Sequence, residues 1–167
     1  MYFHALRPIL VLAFLASSQL HGVDSNVGFE GKNNEVSQQQ NGSGMKGAAG
    51  LAIEMLSDSE GVDFNSYLRD AYYSVKKNWF ANMPPSVEKG QQGINTVEMR
   101  VLQDGSVPKD FLKMVRSSEK GDFDRASLQG VSDAIPFHHL PEAFSKSYIV
   151  LRFTFYYNLR IPPNNSH

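Results

Sequence analysis

The residue types able to do covalent or metal chemistry are few in this chain. It has five histidines, His4, His21, His138, His139 and His167. His138 and His139 are adjacent, in a loop framed by Pro136 and Pro141. Two imidazoles there could bind a metal or serve as a base. A metal site would also need carboxylates or thiolates at ligand spacing. No carboxylate stands at such a spacing, and the chain has no cysteine. Without cysteine there is also no disulfide framework, no thiol nucleophile and no lipid-attachment thiol. No G-x-S-x-G elbow or phosphate-binding glycine loop occurs. Asp122 and Asp124 stand where a helix begins, a place its dipole favours for carboxylates, and do not read as a catalytic pair. The chain therefore reads as a non-enzyme, with no cofactor and no metal. A small enzyme using His138 and His139 is the alternative.

The remaining chemistry is that of the main chain. Tyr148 to Asn158 is one long alternating segment. Ile149, Leu151, Phe153, Phe155 and Tyr157 lie on one face; Tyr148, Val150, Arg152, Thr154 and Tyr156 lie on the other. No later segment is available to pair with it. An unpaired edge offers N–H and C=O groups to a visiting strand, while pockets for alternate side chains give specificity. Tyr148, Val150, Arg152, Thr154, Tyr156 and Asn158 are accordingly the expected partner-binding residues. Pairing with a second copy of the chain is the other use of such an edge.

Other elements must hold this strand. Asp63 is suited to cap a helix in which Phe64, Tyr67, Leu68, Ala71, Val75 and Trp79 form one apolar stripe, ended by Pro84-Pro85. From Gly93, Val97, Met99 and Val101 alternate with polar residues as a half-buried strand. Asp104-Gly105 is a hairpin signal, a turn with no role beyond folding. A returning strand follows from about Val107 to Val115, with Pro108 near its start and Lys109, Lys113 and Arg116 as solvated edge protection. A second helix spans roughly Asp124 to Ala134, stopped by Pro136. The expected fold is α+β and two-layered. A three-stranded antiparallel-type sheet carries two helices on one face, in the order α-β-β-α-β. A right-handed crossover would set the last strand beside the first and parallel to the second, at an edge.

The 167 residues suit one domain with appendages. Met1 to Val23 has a charged start, an apolar run from Pro8 to Ala16 and a small-residue exit, the pattern of a secretory signal peptide. It is short for a spanning helix; a marginal anchor is the alternative. Residues 24–60 read as a disordered polar tether, in which Leu51 to Leu56 could form a helical turn or pack on the domain. Residues 61–160 are the domain and 161–167 a polar tail. Residues 1–60 hold three basic against six acidic side chains, and residues 61–167 hold 13 against 11. Neither balance fits a nucleic-acid binder.

These motifs carry a family resemblance. Ile94 to Pro108, with Asp104-Gly105-Ser106-Val107 at its turn, resembles the C-terminal domain of TonB-family proteins. So do Ser117-Ser118, Phe123-Asp124-Arg125-Ala126-Ser127-Leu128 and Leu151-Arg152-Phe153-Thr154-Phe155. Tyr67 to Phe80 and the Ile135-Pro136 loop are similar to TolA. The resemblance spans about Gly61 to Leu159. It implies an exported, periplasmic module that docks on an outer-membrane receptor or another envelope protein, with the partner's peptide on the last strand, Tyr148 to Asn158. It also implies a possible link to outer-membrane transport. A membrane-anchored energy transducer is the alternative. Ser17 and His21 have the Ser-x-x-x-His spacing of TonB anchors, but the apolar run stops there and the spacer is short and polar.

Overall fold

The computed structural model describes residues 10–12 and 49–162. Its elements are β1 (Leu10–Leu12), β2 (Ala49–Met55), α1 (Asn65–Ala81), β3 (Gly93–Leu102), β4 (Leu112–Arg116), α2 (Gly121–Ser132) and β5 (Tyr148–Tyr157). A short 3-10 turn, Lys109–Phe111, precedes β4. The sheet has five strands in the order β1-β2-β5-β3-β4, and every pairing is antiparallel. No helix among the described residues is long and apolar enough to cross a membrane. Apart from Leu10–Leu12, the expected signal peptide lies outside the described residues, as do residues 24–48 of the tether and most of the tail.

The class is as expected: α+β, an antiparallel sheet, and two helices on one face. β5 lies beside β3 and runs parallel to β4, as the crossover required. Three expectations are corrected. The sheet has five strands, not three. The tether does not reach residue 60, because Ala49–Met55 is a strand. The returning strand starts at Leu112 and not near Val107. Pro108 has no N–H to donate, and its carbonyl accepts the Phe111 N–H at 2.9 Å in the 3-10 turn.

The core lies between the sheet and the helices. Leu51, Ile53 and Met55 of β2, Val97, Met99 and Val101 of β3, and the odd-numbered residues of β5 are all essentially inaccessible. The alternation puts them on one face because side chains of a strand point to opposite sides in turn. Trp79 of α1 packs edge-on against Phe155 and Tyr157, and Phe123 of α2 stacks on Tyr157 with ring centroids 4.1 Å apart. Gly130 lets α2 meet α1 closely; a Cβ there would stand 2.8 Å from Trp79 Cα.

A polar relay crosses this core. Trp79 Nε1–H donates to the Tyr157 hydroxyl at 2.7 Å. Tyr157 lies 2.7 Å from Ser127 Oγ and 2.9 Å from the Phe123 carbonyl. Ser127 donates to Asn95 Oδ1 at 2.8 Å, and Asn95 Nδ2 donates to Asp124 at 2.9 Å. Asp124 also accepts from Ser117 Oγ and from the N–H and Oγ of Ser118. The chain ties α1, β5, α2, β3 and the turn before α2 together. It gives Ser117-Ser118 and the Phe123–Leu128 motif a physical reason: buried polar atoms need partners.

The Asp104-Gly105 turn does more than reverse the chain. Gly105 has φ of +80°, and its carbonyl accepts the Phe137 N–H at 2.9 Å. Gln103 accepts the Leu140 N–H at 3.0 Å and donates through Nε2 to the carbonyls of Phe144 and Lys146. The turn thereby braces the loop that carries His138, His139 and the cis Ile135-Pro136 bond.

Candidate functional site

β5 is not an edge strand. Its residues pair with β3 from Tyr148 to Tyr157 and with β2 from Leu151 to Tyr157. Beyond the end of β2, the Val150 N–H donates to Ser57 Oγ at 2.8 Å and its carbonyl accepts the Leu56 N–H at 2.9 Å. The expected open edge at Tyr148 to Asn158 is therefore corrected. A strand whose five core-facing residues are fully buried sits mid-sheet, with neighbours on both sides. The missed signal was Leu51-Ala52-Ile53-Glu54-Met55, a period-two pattern at the end of a polar stretch.

Freeing that side of β5 would mean lifting β2 away. Leu51, Ile53 and Met55 would leave the core, at roughly 1.5–3 kcal/mol each. That loss is comparable to the whole stability of a small domain.

The six expected binding residues have these places. Tyr148, Val150, Arg152, Thr154 and Tyr156 lie on the sheet face opposite the helices. Arg152 bonds Glu98 at 2.6 and 2.8 Å and Glu54 at 3.2 Å. Glu54, Arg152, Glu98 and Lys113 are register partners in one row across β2, β5, β3 and β4. Thr154 lies 3.4 Å from Thr96, hydroxyl to hydroxyl. Burial pushes the Tyr156 phenol up. Asn158 follows β5 with a positive φ and donates to the carbonyls of Val87 and Gln91, both at 2.8 Å.

The side of β4 away from β3 has no strand beside it among the described residues. Lys113, Val115 and Arg116 are exposed along it. A cleft of about 200 Å³ adjoins it, lined by Glu98, Met99, Arg100, Phe111, Lys113 and Val150. In this cleft the Arg100 guanidinium lies between two rings, 3.9 Å from the Phe111 centroid and 4.2 Å from that of Tyr148.

No family model matches the chain, and no curated protein matches it. Among solved structures, the NMR solution structure of the Helicobacter pylori TonB C-terminal domain is similar. Identity is 21%, the match covers 64% of this chain and 95% of that one, and the TM-score is 0.44. The chain resembles a TonB-family C-terminal domain.

The histidines and acids considered for catalysis are placed as follows. His138 and His139 are both exposed. His138 lines a second cleft, of about 110 Å³, with Tyr67, Asp70 and Ser74. No group of three metal-ligating side chains occurs among the described residues. Asp122 accepts a hydrogen bond from Ser86 Oγ, and the carboxylate is held below its usual range by it. Burial pushes Asp124 up, but the bonds from Ser117, Ser118 and Asn95 outweigh that and hold it down. Both carboxylates are engaged in fixing the start of α2. Sequence reasoning missed Arg100 and Phe111. In sequence Arg100 is one more polar residue between Met99 and Val101, and Phe111 falls within the expected returning strand.

Proposed function

We propose that this chain is an envelope protein-binding module of the TonB/TolA kind, exported to the periplasm, that docks an extended peptide of an outer-membrane receptor or another envelope protein by strand addition. The motif order from Ile94 to Phe155 supports the family part of the reading. The observation that carries the docking part is the unaccompanied side of β4. A partner strand there gains main-chain hydrogen bonds without displacing any strand among the described residues. The same partner at β5 would first have to remove β2 and its three buried side chains. Of these two places, the partner belongs at Leu112–Arg116 and not at Tyr148 to Asn158.

Proline scanning tests this. Successive N–H groups of a strand point to opposite sides, so of Lys113→Pro and Met114→Pro one removes an outward donor and the other a ladder bond to β3. The outward variant should keep its thermal midpoint yet lose the envelope protein that the parent chain captures from membrane extracts. Retention of that protein by the variant with the intact midpoint would contradict docking at β4.

A further inference from the structure

Among the described residues, no acid pairs with the cation in the β4 cleft. The Arg100 side chain makes no hydrogen bond or ion pair among the described residues, and its Nε is buried without a partner. The two glutamates beside Arg152 on this face, Glu98 and Glu54, both pair with it. Lys109, Lys113 and Arg116 add exposed positive charge along the same edge, where Asp110 is the acid. A guanidinium held between rings keeps its plane apolar and its remaining N–H edge directed outward, with little rotamer freedom left to lose on binding.

We propose that this cleft reads a carboxylate and that the docked segment is an acidic peptide. This deepens, and rests on, the strand-addition reading. In an added strand every second side chain falls on the face that carries Arg100. A Glu or Asp at such a position would meet the guanidinium while the peptide main chain pairs with β4. Arg100 is then a specificity residue. The main chain supplies sequence-independent affinity, and the carboxylate selects among extended peptides.

The test uses the full chain and three synthetic probes. Two are labelled short peptides, one alternating valine with glutamate and the other valine with glutamine. The third is a vesicle of anionic phospholipid. Binding is followed by fluorescence and by amide shifts of Leu112–Arg116. The glutamate peptide should bind about tenfold tighter than the glutamine peptide, the scale of one charge-assisted hydrogen bond. Arg100→Gln should abolish that preference and leave the glutamine peptide's affinity unchanged. Phe111→Leu, which removes one ring of the clamp, should reduce the preference without moving β4. Equal affinities for both peptides, with β4 amides shifting in each case, would overturn the carboxylate site and leave strand addition standing. No response of β4 to either peptide would overturn both. Vesicle binding that depends on Arg100 while the peptides fail would reassign the cleft to lipid headgroups.

Discussion

Glu98 accepts both Arg152 bonds on one oxygen, Oε1, at 2.6 and 2.8 Å, and so is paired with Arg152 and not with Arg100 two residues along the same strand face. One arginine is paired with acids within the fold, and the other lies between two rings with no ion pair among the described residues. The arrangement leaves the Arg100 guanidinium without an ion pair among the described residues.

Arg152→Gln should therefore weaken the glutamate peptide by a few-fold, because Glu98 is released to compete for Arg100. The folded state should change little, since partly exposed ion pairs contribute about 0.2–1 kcal/mol. Titration calorimetry of the variant checks this; unchanged or tighter binding would show that Glu98 does not limit the cleft.

Tyr157→Phe should cost about 1–3 kcal/mol in urea unfolding. The ring stays, but Trp79 Nε1 and Ser127 Oγ lose their shared partner inside the core. Burial already pushes the Tyr157 phenol up to about 12. It is thus a neutral donor throughout the physiological range, and no alkaline step in stability should accompany it near neutrality.

Acid should act through Asp124. Its carboxyl is held below the ordinary value of 3.8 in the folded chain. A depressed folded pKa means a contribution present above 3.8 and lost as pH falls through the folded value. Asp124→Asn should be less stable than the parent chain at about pH 7, with the gap closing below the ordinary carboxylate range. Unfolding midpoints measured across pH would reveal a constant gap if the carboxylate charge were irrelevant.

Gly105→Ala should destabilise by more than about 2 kcal/mol. The residue has φ of +80°, which costs an L side chain about 1–2 kcal/mol, and its Cβ would fall 2.0 Å from the Phe137 carbonyl oxygen. The damage should appear in the 135–147 loop first, read as faster amide exchange at Phe137 and Leu140. An unchanged loop would mean the turn and loop are not braced together.

The periodicity of β3, β5 and both helices was legible because each has enough apolar residues to declare its period. β2 was not. Only Leu51, Ile53 and Met55 carry its pattern, and they follow a run of glycine, asparagine and glutamine. That omission alone turned β5 from a central strand into an expected edge and moved the expected site with it. The relay through Ser127 and Asn95 was also invisible, since a serine or asparagine looks the same in sequence whether it is buried or solvated. The Arg100 clamp needs Phe111 from the turn before β4 and Tyr148 from the start of β5, a meeting set by the sheet order.

Amide hydrogen exchange of the full chain, with and without the alternating valine–glutamate peptide, tests the choice of edge most directly. Alternate amides of Leu112–Arg116 should gain protection on binding, while Ala49–Met55 and Tyr148–Tyr157 stay as protected as before. Loss of protection across Ala49–Met55 with β4 unchanged would mean that the peptide takes the place of β2 on β5, which contradicts docking at β4.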